Sequence, residues 1–102
     1  MALELIEGDT TPGKVKIGIV VSRWNSMITE KMLEGALKAL KGNGIVEEDI
    51  TVVRCPGSYE IPLAVQNVIK NRDVDGVIAL GVVIRGGTPH FEYVCDAVNR
   101  GI

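Results

Sequence analysis

Apolar and polar positions alternate between two rhythms along this chain. From Val15 to Val21 the residues are mostly apolar and β-branched over a short run, which predicts a strand. From about Met27 to Lys41 the apolar positions Ile28, Met32, Leu33, Ala36, Leu37 and Leu40 recur at helical spacing. Glu30 then falls in the first turn and Lys38 and Lys41 in the last, where they complement the helix dipole, and Gly42 and Gly44 end the helix. Ile50–Arg54 predicts a second strand and Cys55-Pro56-Gly57-Ser58 a sharp turn. A second helix follows to about Lys70, with Pro62 in the first turn, where backbone N–H groups have no helical partner. Val74 to Ile84 reads as the third strand, and its unbroken apolar run predicts burial on both faces. Arg85-Gly86-Gly87-Thr88-Pro89 leads into a third helix reaching Asn99 or Arg100, with Thr88 as N-cap, Pro89 at the first helical position and Gly101 as the stop. Residues 2–6 read as a short extended arm and Thr10-Thr11-Pro12-Gly13 as a turn.

The order β-α-β-α-β-α predicts an α/β fold, a flavodoxin-like three-layer α/β/α sandwich with a parallel sheet and right-handed crossovers. The first strand should be central among the three. A chain of 102 residues allows one domain, spanning residues 1–102. Aromatics make up only 4%, so the core must be aliphatic. A net charge of -2 leaves no electrostatic footprint for nucleic acid or an anionic membrane, so any anion must be caught locally. The longest apolar run, Val77 to Ile84, is far short of the roughly 20 residues of a membrane helix. The opening Met1-Ala2-Leu3-Glu4-Leu5-Ile6-Glu7 lacks the basic start and long apolar stretch of a signal peptide. Cys55 and Cys95 form neither a disulfide framework nor a zinc spacing. These features predict a soluble, reducing, intracellular setting.

Ligands of parallel sheets bind at the carboxyl ends of the strands. Three loops leave those ends, at Ser22–Ser26, Cys55–Glu60 and Arg85–His90, and the polar residues of interest fall in them. The glycines of Arg85-Gly86-Gly87-Thr88-Pro89-His90 let backbone approach a ligand. The Thr88 hydroxyl and the N–H groups of the following helix can receive an anion such as phosphate. An ordinary strand-to-helix turn fits the same residues. No Gly-Lys-Ser/Thr follows, so this is no Walker loop. His90, the single histidine, can act as a neutral general base or can be a surface residue. Arg85 can hold phosphate or pair with a carboxylate. Trp24 can stack on a flat heterocycle or simply cover the end of the sheet. Glu60, at the start of the second helix beside Tyr59, can hydrogen-bond a substrate's polar edge or merely complement the dipole. Cys55 is either a nucleophile beside His90 or, more ordinarily, a small buried hydrophobe, and Cys95 reads as packing.

Three segments carry a family resemblance. Ile17-Gly18-Ile19-Val20-Val21-Ser22-Arg23-Trp24-Asn25 resembles the first-strand signature of the lumazine synthases. Pro56-Gly57-Ser58-Tyr59-Glu60-Ile61-Pro62 resembles the family's second loop, and Ala79 through Phe91 its third. The arm Leu5-Ile6-Glu7-Gly8 is similar to the family's N-terminal segment. The resemblance implies condensation of 5-amino-6-ribitylaminouracil with 3,4-dihydroxy-2-butanone 4-phosphate to give 6,7-dimethyl-8-ribityllumazine, the penultimate step of riboflavin synthesis, with no metal or organic cofactor. It further implies that Trp24, where the family often has Phe, stacks on the pyrimidine, with Asn25 beside it in the substrate site. Ser58, Tyr59 and Glu60 would contact the ribityl and uracil portions. Val82, Val83 and Ile84 would line the heterocycle pocket, Gly87 and Thr88 would receive the phosphate, and His90 would transfer protons. Partners are then these two substrates and further copies of the chain, in pentamers or their multiples. A non-catalytic flavin-binding or shell-assembly module of the same fold is the competing reading.

Lumazine synthases continue past the third helix with another parallel strand and two helices, which complete a neighbouring subunit's site. The resemblance therefore covers the N-terminal two-thirds of that fold. A chain ending at Ile102 is expected to be poorly soluble or only oligomeric, and to have little activity by itself.

Overall fold

The computed structural model describes residues 3–9, 11 and 13–102. Thr10 and Pro12 of the predicted turn and Ala2 of the predicted arm lie outside them. Strands β1 (Ile17–Ser22), β2 (Ile50–Cys55) and β3 (Gly76–Leu80) alternate with helices α1 (Ser26–Gly42), α2 (Ile61–Asn71) and α3 (His90–Gly101). Single 3-10 turns precede β2, at Glu47–Asp49, and α2, at Ser58–Glu60. The sheet is parallel in the order β2-β1-β3, with the first strand central as expected. Its register sets Ile17 opposite Ile50 and Gly76, and Val21 opposite Arg54 and Leu80.

Right-handed crossovers explain the layers. The chain moves one way from β1 to β2, then back past β1 to β3, so α1 and α2 must cover opposite faces. Alternation along β1 supplies both interfaces. Ile19 and Val21 pack with Leu33 against Ala36, Leu37 and Leu40 of α1. Val20 packs with Cys55, Ile61 and Val68 on the α2 side. Ile19, Val20 and Val21 are wholly buried. At the start of the sheet, Lys16 N–H donates to Asp75 Oδ2 at 2.8 Å, and Asp75 N–H returns a bond to Lys16 O at 2.7 Å, which fixes the β1/β3 register.

Helix α1 ends in a Schellman motif. Ile45 N–H donates to Leu40 O and Gly44 N–H to Lys41 O, and Gly44 takes φ +90° as the motif requires. Ile45 is buried.

Four local expectations are corrected. β3 ends at Leu80 rather than Ile84, because its partner β1 ends one residue beyond the matching position, at Ser22. β3 is only partly buried, with Ala79 exposed, since no strand covers its outer edge among the described residues. Helix α3 begins at His90, so Thr88 lies one position too early to cap it. The Pro89 carbonyl instead accepts the first bonds, from Glu92 and Tyr93 N–H. Glu30 lies beyond the first turn of α1 and pairs with β2, Arg54 Nε and Nη2 each reaching one of its oxygens at 3.0 Å. That bidentate bond holds the Glu30 carboxyl below its ordinary range.

Among the described residues, no helix is long and apolar enough to cross a membrane, and no three metal-ligating side chains cluster.

Glycine positions give opposite signs for one substitution. A Cβ on Gly18, in the central strand, would meet Val68 Cγ1 at 2.9 Å, whereas one on exposed Gly35, in α1, meets nothing within 4 Å. Gly18→Ala should cost about 1–3 kcal/mol through overpacking, and Gly35→Ala should add about 0.5–1 kcal/mol through helix propensity. Urea unfolding midpoints check both signs.

Cys55 gives a pH expectation. Burial, and secondarily the Glu60 charge, push its thiol above the ordinary 9.0. The stability due to the neutral thiol is complete below that ordinary value and is lost as pH rises through the higher folded one. At pH 8 a thiol reagent should modify Cys95, which is half-buried, well before Cys55; equal rates would place Cys55 at the surface.

Candidate functional site

The sheet ladder continues past its strands at the carboxyl end. Arg23 N–H donates to Cys55 O at 2.8 Å and Trp24 N–H to Pro56 O at 3.0 Å. These two bonds carry Trp24 alongside the Pro56-Gly57 turn. Asn25 then turns the chain into α1 in the left-handed conformation, φ 56° and ψ 52°, which Asn tolerates better than most residues. Its carbonyl accepts from Ile28 and Thr29 N–H.

On the β2 side, Gly57 is extended, and a Cβ there would lie 3.3 Å from Glu60 Oε2. Glycine thus lets the Glu60 carboxylate fold back over the turn. Ser58 is buried, and its hydroxyl donates to Val82 O at 3.0 Å. That bond joins the second loop to the chain leaving β3.

The third contribution comes from α3. Val94 is buried, and His90 lies one turn before it on the same face. Packing of Val94 therefore directs His90 toward the other two loops. The preceding turn is fastened to the helix by Arg85, whose Nη1 meets Glu92 Oε1 at 2.9 Å and whose guanidinium lies over the Phe91 ring at 4.9 Å.

These elements enclose an open cleft of about 320 Å³ at the carboxyl ends of the strands. Its wall includes Trp24, Ser58, Tyr59, Glu60, Val82, Val83, Ile84 and His90, all singled out in the sequence. Trp24 is 51% exposed, so a ring face is available on one wall. The lining is mostly apolar, with Glu60 and His90 its two ionisable groups besides the Tyr59 phenol. Such a site suits a flat molecule of mixed polarity that needs a hydrogen-bond acceptor and a proton carrier.

Several sequence readings are placed differently. Asn25 does not line the cleft; it forms the turn, and its Nδ2 is buried without a hydrogen-bond partner among the described residues. Gly87 and Thr88 lie on the exposed turn before α3, outside the lining. Arg85 takes the carboxylate partner of its two alternatives. Cys55 lies in the core, where its thiol meets Gly57 O at 3.5 Å, and does not line the cleft. Sequence reasoning missed Pro56, Gly57 and Val94 as lining residues. Of these, Val94 carried a legible signal, an apolar residue four positions after His90.

A family model described as 6,7-dimethyl-8-ribityllumazine synthase matches residues 14–102. A 6,7-dimethyl-8-ribityllumazine synthase of Anaeromyxobacter sp. (strain Fw109-5) is 45% identical over 100 residues, covering 98% of this chain and 61% of that relative. The chain thus spans less than two-thirds of the length of the relative it matches. The ordered strand-end loops and these two matches agree, and the chain belongs to the 6,7-dimethyl-8-ribityllumazine synthase family.

Proposed function

We propose that the cleft binds 5-amino-6-ribitylaminouracil and 3,4-dihydroxy-2-butanone 4-phosphate and joins them as 6,7-dimethyl-8-ribityllumazine. One observation carries the reading: an exposed tryptophan face, a carboxylate and an imidazole converge on one apolar cleft, from three separate loops. Trp24 covers the pyrimidine ring by stacking. Glu60 accepts hydrogen bonds from the N–H and hydroxyl donors of the uracil and ribityl portions, and Tyr59 borders the same end. Val82, Val83 and Ile84 form the opposite wall. Gly87 and Thr88, in the turn before α3, offer backbone N–H groups to the butanone phosphate.

The chemistry consists of proton transfers around one condensation. The 5-amino nitrogen adds to the ketone carbonyl, and loss of water gives an imine. Removal of the proton at C3 of the butanone then expels phosphate from C4, and the enol left behind takes up a proton at C4 to become a second ketone, at C3. The ribityl-bearing nitrogen attacks the second carbonyl, and loss of another water closes the ring. Each step needs a proton moved over a short distance, and this reading gives that transfer to His90, which lines the cleft. Holding the amine against the ketone supplies much of the rate. Catalysis in this reading is cytoplasmic, and further copies of the chain, in pentamers or their multiples, are its macromolecular partners.

Incubation of both substrates with this sequence in a full-length context, followed by detection of the lumazine, tests the reading. Lumazine binding without turnover would favour the competing binding-module reading. In a full-length context, His90→Ala should slow condensation by at most the roughly 10²–10⁴-fold of general acid–base residues. Unchanged turnover at saturating substrates would remove His90 from the mechanism. Trp24→Ala should weaken lumazine binding by about 1–3 kcal/mol, the range for a stacked base, as read by equilibrium dialysis. Unaltered affinity would leave Trp24 as a cover for the sheet end.

A further inference from the structure

The wall formed by Val82, Val83 and Ile84 lacks the support of a sheet. The strand ends at Leu80, and no backbone bond outside the ladder ties these three residues to another element among the described residues. One side-chain bond does so, from the Ser58 hydroxyl to the Val82 carbonyl at 3.0 Å. Ser58 is 7% exposed, so this bond is shielded from competing water.

The fit around it is specific. A Cβ on Gly81 would lie 2.7 Å from Ser58 Oγ and 2.6 Å from Ile61 Cδ1. Only glycine leaves room for the serine and the first residue of α2 to press against the chain at that point. Ser22 Oγ lies on the same gap, 3.6 Å from that Cβ position, and is buried without a partner of its own among the described residues. The tie therefore rests on Ser58.

We propose that Ser58 is a positioning residue: it acts on the bound heterocycle through Val82, by pinning the Gly81–Ile84 wall at the spacing set by Gly81, rather than through its own hydroxyl. The effect on ligand rests on the cleft being the heterocycle site; the pinning of the wall does not.

Two measurements on the same protein separate these parts. Limited proteolysis of the ligand-free protein with elastase, which cuts after valine, reads the tie directly. Ser58→Ala should speed cleavage at residues 82–84 by about tenfold, the upper end for one lost hydrogen bond, and leave β1 uncut. Trp24 is the single tryptophan, so quenching of its fluorescence by 6,7-dimethyl-8-ribityllumazine reads affinity. Ser58→Ala should weaken that affinity by up to about tenfold at an unchanged oligomeric state, and Ser58→Thr, which keeps the hydroxyl, should restore it. Ser58→Ala placed on Gly81→Ala should add little to Gly81→Ala alone, because the added Cβ already displaces the Ser58 hydroxyl. Parental cleavage at 82–84 in Ser58→Ala overturns the proposal, as does faster cleavage with parental lumazine affinity. A parental protein that shows no quenching overturns the site reading and the ligand half of the proposal, while faster cleavage in Ser58→Ala would still support the tie.

Discussion

Burial of β1 on both faces is the constraint on which the rest of the structure depends. Ile19, Val20 and Val21 are inaccessible to solvent, so every neighbour of this strand is fixed by contact with it. Side chains alternating to either face bind α1 on one side and α2 on the other. Both flanking strands take their register from it. The three loops leaving the carboxyl ends therefore emerge close together, and the Arg23 and Trp24 backbone bonds and the Ser58–Val82 bond fix the cleft between them.

That cleft has walls of unequal rigidity. The Trp24 wall is an extension of the β1/β2 ladder, held by two further backbone bonds. The Glu60 wall is a 3-10 turn leading into α2, packed on the core through Ile61. The third wall has left its sheet and depends on side chains, Ser58 toward β2 and Arg85 toward α3. Exposure differs between these two ties. The Ser58 bond is buried, whereas the Arg85–Glu92 pair is open to water and contributes little stability. Motion in the site should concentrate in the glycine turn before α3, beyond the last buried tie.

The surface charges are arranged for register more than for binding. Lys16 pairs with Asp73 beside the β1/β3 ladder, and Arg54 holds Glu30 between β2 and α1. Both pairs join elements that the core already brings together. Their removal should change local order more than the overall fold, since exposed pairs of this kind carry small energies.

Apolar periodicity by itself determined that three strands alternate with three helices, and short crossovers of one hand then left β1 in the middle. Residue chemistry marked the three loops, because glycine, proline, tryptophan, histidine and glutamate gather where strands end. Tertiary structure decided what periodicity cannot encode. The apolar run through Ile84 reads as one strand, yet a strand lasts only as long as its partner, and β1 stops at Ser22. Thr88 reads as a cap, yet the helix begins where the chain first packs, one turn before Val94. Ser58 lines the cleft, and the space beside Gly81 turns its hydroxyl to Val82. In each case the sequence names the residue, while its partner lies on another element, and only the fold brings the two within bonding distance.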